Sequence, residues 1–123
     1  MIYLASPYSH RDPAMRQMRF NDACRAAAHL IRQGYAVFSP IAHGHSICRY
    51  GLPTDWRFWE PIVRQHLECS EEVVVLMLDG WRESVGVHAE IRIAGECGRP
   101  VRYLAQDAVD SPWLAHVAKE AGR

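Results

Sequence analysis

Val73-Val74-Val75-Leu76-Met77-Leu78-Asp79-Gly80 is followed, after three residues, by Ser84-Val85-Gly86-Val87-His88-Ala89-Glu90. The first part is an unbroken apolar run closed by a turn pair, which predicts a strand buried on both faces. The second part opens a helix. Ser84 stands where a cap belongs, Val87, Ile91 and Ala94 recur at helical spacing, and Gly98 can end the run. A strand therefore feeds a turn, and the turn feeds a helix whose first turns carry a serine, a glycine and a glutamate. In an open α/β sheet, ligands bind outside the carboxyl ends of the strands.

Whether this stretch lies at such an edge depends on the rest of the chain. Ile2-Tyr3-Leu4-Ala5, stopped by Ser6-Pro7, predicts a first buried strand. Asp12-Pro13 supplies a cap and a first-turn proline, and Met15, Ala23, Ala26, Ala27, Leu30 and Ile31 follow at helical spacing up to Gly34. Arg16, Arg19, Asp22, Arg25 and Arg32 fall mostly elsewhere on that helical wheel. Residues 35–38 predict a second strand, closed by Ser39-Pro40, so the three elements form a βαβ unit with parallel strands. Residues 40–53 hold His43, Gly44, His45, Tyr50, Gly51 and two prolines without a clean period; they read as a functional lid or as a surface loop with one helical turn. Thr54-Asp55 offers a cap to a helix carrying Trp56, Trp59, Ile62, Val63, His66 and Leu67. A fourth strand covers 101–104, and Asp110-Ser111-Pro112 opens a last helix. The order βαβαβαβα predicts one α/β domain over residues 1–123: a parallel sheet of four to five strands with helices on both faces. The loops at 6–11, 40–55 and 79–86 then converge on one edge.

Composition narrows the partners. Fourteen basic and fourteen acidic residues leave no net charge, so the basic face that duplex nucleic acid needs is not expected. No apolar run approaches a membrane span. Met1 leads directly into a strand pattern, so no targeting segment and a cytoplasmic location are expected. Cys24, Cys48, Cys69 and Cys97 form no Cys-x-x-Cys pair and read as reduced thiols. His43 and His45 have ligand-like spacing but no third partner, so neither a metal nor another cofactor is expected.

On the helix that follows Ser84, about 100° per residue places Gly86, Glu90 and Cys97 on one flank of the apolar stripe. Gly86 leaves space above Glu90, and a carboxylate so placed can meet a substrate. The alternative is a surface glutamate near a favourable helix N-terminus.

Ser84-x-Gly86-x-x-x-Glu90, after a strand and before a helix, resembles the signature of the nucleoside 2-deoxyribosyltransferase superfamily. Tyr3-Leu4-Ala5-Ser6-Pro7-Tyr8 resembles that superfamily's first strand and loop, and Pro53-Thr54-Asp55-Trp56 with Trp59 resembles a small bacterial branch of it. The resemblance covers residues 1–104. It implies a flavodoxin-like, Rossmann-like three-layer fold and chemistry at an N-glycosidic bond. Glu90 matches the nucleophile that attacks the anomeric carbon of a (deoxy)ribosyl group, following the logic of retaining glycosidases. The leaving base needs a proton, for which Asp55, Tyr8 and His45 are candidates; Asp55 also reads as a simple cap.

Superfamily members acting on free nucleosides tend to carry an acidic residue where this chain has Ser84, whereas those hydrolysing nucleoside 5′-monophosphates carry serine. A carboxylate repels a phosphate; Ser84 and the N–H groups of a helix start accept one, although Glu83 beside it opposes this. Ser6, Ser9, His10 and Arg11 add donors near another helix start, and Asp79 stands at the same edge. Tyr3 orients the sugar or Glu90, or packs in the core. Trp56 stacks on a base or joins the buried stripe, to which Trp59 is assigned. His29, His66 and His116 read as structural or solvent-facing. The resemblance also implies a homodimer or larger oligomer. The expected activity is hydrolysis or transfer on a small nucleoside or nucleotide; the competing expectation is a nucleotide or nucleotide-sugar binding protein without catalysis.

Overall fold

The computed structural model describes residues 1–109, and the helix expected from Asp110 onwards lies outside them. Strands β1 (Ile2–Ala5), β2 (Val37–Phe38), β3 (Glu72–Met77) and β4 (Val101–Ala105) form one sheet in the order β2-β1-β3-β4. Every pairing is parallel. Helices α1 (Pro13–Arg32), α2 (Pro40–Cys48), α3 (Trp56–Glu68) and α4 (Val85–Glu96) flank it, which is a flavodoxin-like three-layer arrangement. The chain runs one way from β1 to β2 and the other way from β2 past β1 to β3. Right-handed crossovers then place α1 on one face and α3 and α4 on the other. The reversal opens a crevice at the carboxyl ends of β1 and β3.

Strand alternation builds two cores from the same strands. Ile2, Leu4, Val74 and Leu76 join Ala26 and Leu30 of α1. Tyr3, Ala5, Val73 and Val75 join Val63 and Leu67 of α3 and Val87, Ile93 and Ala94 of α4. The register that sets Tyr3 against Val73 and Leu4 against Val74 keeps the two sets apart. Burial of β3 on both faces is the reason its sequence shows no polar alternation.

The helix starts follow their local chemistry. Asp12 accepts from the Ala14 N–H at 3.0 Å with Pro13 behind it, and Ser84 accepts from the Val87 N–H at 3.2 Å. Such caps each contribute about 1 kcal/mol. Two expectations need correction. Strand β2 begins at Val37 rather than at residue 35, because as an edge strand it pairs only with β1 and leaves Tyr35 and Ala36 exposed. The stretch at 40–53 is neither a lid nor a loop with a single turn: it contains the nine-residue α2, capped by Ser39 at 3.0 Å from the Ala42 N–H, with Pro40 as its first residue. Ser39-Pro40 is the same start signal as Asp12-Pro13. The helix escapes notice because its buried central position is Gly44, with the Trp59 ring 3.6 Å from where a Cβ would sit. Trp59 supplies from outside the apolar bulk that α2 lacks at Gly44.

Candidate functional site

A cleft of about 370 Å³ opens at the crevice, within the usual range of about 300–1,000 Å³ for small-molecule sites. The three loops expected to converge do so. The β1 loop contributes Ser6, Tyr8, Ser9 and His10; α2 and the start of α3 contribute Gly44, His45, Thr54, Trp56 and Trp59; the β3–α4 turn contributes Gly80, Glu83, Ser84 and Gly86.

Glu90 lines this cleft and is 4% exposed. It is therefore no surface glutamate. The hydroxyl of Tyr3, itself fully buried, donates to Glu90 Oε2 across 87 positions of sequence. Two opposed effects act on the carboxyl. Burial disfavours its charged form and the Tyr3 hydrogen bond favours it; burial wins, and the group is pushed up to about 8. The same burial, with the Glu90 carboxylate beside it, raises the Tyr3 phenol well above its ordinary value. Tyr3 belongs to the core on the α3–α4 side and also holds Glu90; being fully buried and absent from the cleft lining, it does not make the expected contact with a sugar.

Other expected residues divide. Ser6 is 4% exposed and its Oγ, at the cleft wall, has no hydrogen-bond partner. An unsatisfied buried hydroxyl costs about 1–3 kcal/mol, so a polar ligand atom is its natural complement. Ser84 both caps α4 and lines the cleft, which joins its two readings: Oγ accepts from Val87 while its proton stays available to a ligand. The N–H groups of Val85 and Gly86, the first two of α4, have no acceptor within the helix and follow Ser84 directly in the chain. Gly86 would place a Cβ 3.8 Å from Trp56 and 3.9 Å from Ser84 Oγ, an ordinary contact, so its missing side chain keeps space open rather than relieving a clash. Trp56 lines the cleft and packs on the α3–α4 core. Tyr8 hydrogen-bonds to His45 Nδ1 at 2.6 Å, and both line the cleft.

Three expected residues stand apart. Asp55 is exposed, does not line the cleft, and accepts from the Phe58 N–H at 3.3 Å; it caps α3. Arg11 is exposed and also outside the lining. Asp79 presents its backbone carbonyl rather than its carboxylate, accepting from Arg19 at 3.2 Å. Trp59, assigned above to the core, instead walls the cleft and anchors its Nε1–H on the Pro53 carbonyl at 2.8 Å.

Arg19 is a further residue of this site. From α1 it donates to the Ser9 carbonyl at 3.0 Å and to the Asp79 carbonyl, tying the β1 loop to the β3 turn, and it lines the cleft. Gly80 makes room for it: its φ is +89°, and a Cβ there would lie 2.7 Å from Arg19 Nη2. The signal was present in the sequence. Arg19, Ala23, Ala26 and Leu30 are spaced four, three and four, so Arg19 extends the buried stripe of α1 to the ligand edge. Glu83, exposed at the rim, places a carboxylate in the same cleft.

Among the described residues no group of three or more His, Cys, Asp or Glu side chains is placed to hold a metal ion. No described helix is long and apolar enough to cross a membrane. The parallel order β2-β1-β3-β4 and a cleft at its switch point define an α/β protein of flavodoxin-like class with a small-molecule-sized site. Residues 1–106 match the family model described as a domain of unknown function, DUF1937, and the chain belongs to that family. Comparison with curated proteins returns no match.

Proposed function

We propose that this protein is an enzyme that cleaves the N-glycosidic bond of a nucleoside 5′-monophosphate, with Glu90 as nucleophile and a covalent (deoxy)ribosyl-enzyme as intermediate. The observation that carries the reading is the Glu90 carboxyl: buried, held by Tyr3, and open to a cleft with aromatic walls. A desolvated carboxylate facing an anomeric carbon offsets the positive charge that develops there and then traps it. Trp56 and Trp59 offer apolar ring surface to a base. Ser84, the α4 start and Arg19 offer donors to a phosphate, while Glu83 acts against one. The resemblance of Ser84-x-Gly86-x-x-x-Glu90 to the nucleoside 2-deoxyribosyltransferase superfamily supports the same chemistry. Hydrolysis is preferred to transfer, no cofactor is called upon, and the protein is read as a cytoplasmic homo-oligomer.

A second reading is a non-catalytic nucleotide or nucleotide-sugar binder. One observation favours it: a carboxyl titrating near 8 is mostly protonated at neutral pH and suits a hydrogen bond to a sugar hydroxyl. The ionised form needed for attack is nonetheless present at pH 7, on the order of a tenth of the population. Incubation with ribo- and deoxyribonucleosides and their 5′-monophosphates, with free base measured by chromatography, separates the readings. Base release from monophosphates that is lost in Glu90→Ala supports the enzyme. Saturable binding without base release from any member selects the binder.

A further inference from the structure

We propose that Tyr8 and His45 form the proton shuttle of this site, with Tyr8 touching the reacting atoms and Gln17 fixing the state of the His45 ring. The proposal rests on the glycosidase reading and names the donor that reading leaves open. With Asp55 occupied as the cap of α3 and absent from the cleft wall, the proton source has to be sought elsewhere.

The hydrogen bonds form a directed chain. Gln17 Nε2–H donates to Asn21 Oδ1 at 3.2 Å, one turn along α1. That fixes the amide so that Gln17 Oε1 faces His45 Nε2 at 3.0 Å, and an oxygen there requires a proton on Nε2. In the neutral ring Nδ1 is then the base, and it accepts from the Tyr8 hydroxyl at 2.6 Å. Ring packing holds this geometry: Phe20 stacks on His45 with centroids 4.4 Å apart, and Tyr8 meets His45 edge-on at 5.5 Å. The chain runs from α1 through His45 and ends on Tyr8, which lines the cleft that contains Glu90. His45 is half-buried, so it exchanges protons with solvent while remaining fixed. Burial, with Arg16 and Arg49 nearby, lowers its proton affinity and makes its imidazolium a ready donor.

The proton balance closes over two steps. His45 first takes a proton on Nδ1 from solvent. Ionised Glu90 attacks the anomeric carbon, the C–N bond breaks, and its electron pair passes to the base nitrogen. Tyr8 gives its hydroxyl proton to that nitrogen and takes the Nδ1 proton of His45. Water then attacks the same carbon, the ester to Glu90 breaks, and the proton of that water returns through Tyr8 to Nδ1. One group serves as acid in the first step and base in the second, as a retaining mechanism requires. Nδ1 then releases that proton to solvent, so Glu90 and His45 end as they began.

The test uses enzyme in excess over substrate, so that only the first step is read. Two substrates are compared: the purine nucleoside 5′-monophosphate the wild type cleaves fastest, and its N7-methylated form, whose cationic base departs without a proton. Tyr8→Phe is expected to slow release from the ordinary substrate by about 10²–10⁴-fold and from the methylated one by less than about tenfold. His45→Ala is expected to show the same selectivity and to regain activity with added imidazole. ¹⁵N NMR of the resting wild type should show neutral His45 protonated on Nε2, and Gln17→Leu should shift those ring signals. Equal losses on both substrates, or an Nδ1–H ring in the wild type, would overturn the shuttle and leave the glycosidase reading standing. A wild type that releases base from neither substrate overturns both.

Discussion

The two faces of the sheet are made from alternate residues of the same strands, yet they differ in kind. On the α1 face Ile2, Leu4, Val74, Leu76 and Leu78 meet Ala26 and Leu30, and every member of that cluster is apolar. The α3–α4 face is built on Tyr3, Ala5, Val73 and Val75, but there a tyrosine hydroxyl and a buried carboxyl meet beneath the cleft. A buried carboxyl away from any cation raises the energy of its charged form. The chain carries that cost on one face only, at the edge where a ligand can reach it. The contrast teaches that the first face serves stability, whereas the second holds a destabilising group, which the proposed function turns to chemistry.

Substitutions should expose this division, and the largest effect on stability belongs to the α1 face. Leu76→Ala should cost about 2–5 kcal/mol in urea unfolding while leaving ligand affinity of the folded fraction unchanged. A specific loss of affinity would show that the two faces are coupled. Glu90→Gln should act in the opposite direction. Because the Glu90 carboxyl titrates at about 8 when folded and near 4.5 when exposed, its neutral form favours the folded state. That contribution is fully present below pH 4.5 and is lost as pH rises through 8. The wild type should therefore lose stability relative to Glu90→Gln across this window, by an amount on the order of a few kcal/mol. Parallel pH profiles for the two proteins would remove the claim that burial governs Glu90.

Smaller changes probe the edge that joins the faces. Gly80→Ala forces a side chain into a left-handed conformation and against Arg19, and should cost about 1–3 kcal/mol. It should also free the β1 loop, seen as faster amide exchange at Ser9 and His10; unchanged exchange would mean that Arg19 does not hold that loop. Ser84→Asp retains a capping side chain, so stability should stay within about 0.5 kcal/mol of wild type. Monophosphate affinity should nevertheless fall by about tenfold or more relative to the free nucleoside, from like-charge repulsion. Equal effects on both ligands would reduce Ser84 to a cap.

Much of this was legible in the sequence, for physical reasons that differ by element. The apolar run 73–78 marks the doubly buried β3, observed one residue earlier at Glu72–Met77, because nothing polar interrupts it, and Asp12-Pro13 and Ser84 mark helix starts through groups only a few residues apart. Helix α2 was hidden because Gly44 leaves its stripe empty and Trp59, fifteen residues on, fills it. Arg19 was hidden because a charge on a wheel suggests solvent, although its spacing continued the buried stripe. The motif singled out Glu90, but its bond to Tyr3 is a tertiary fact that no local pattern encodes. Asp55 illustrates the converse error: an acidic residue beside aromatic ones invites a catalytic role, and the helix start claims it instead.

The central claim is that the one buried carboxyl of the described residues is the nucleophile. The direct measurement is mass spectrometry of enzyme quenched in acid during turnover of a nucleoside 5′-monophosphate, followed by peptide mapping. A phosphoribosyl or phosphodeoxyribosyl adduct on Glu90, absent in Glu90→Gln, is the predicted result. Base release with no adduct, or with an adduct on another residue, would contradict it.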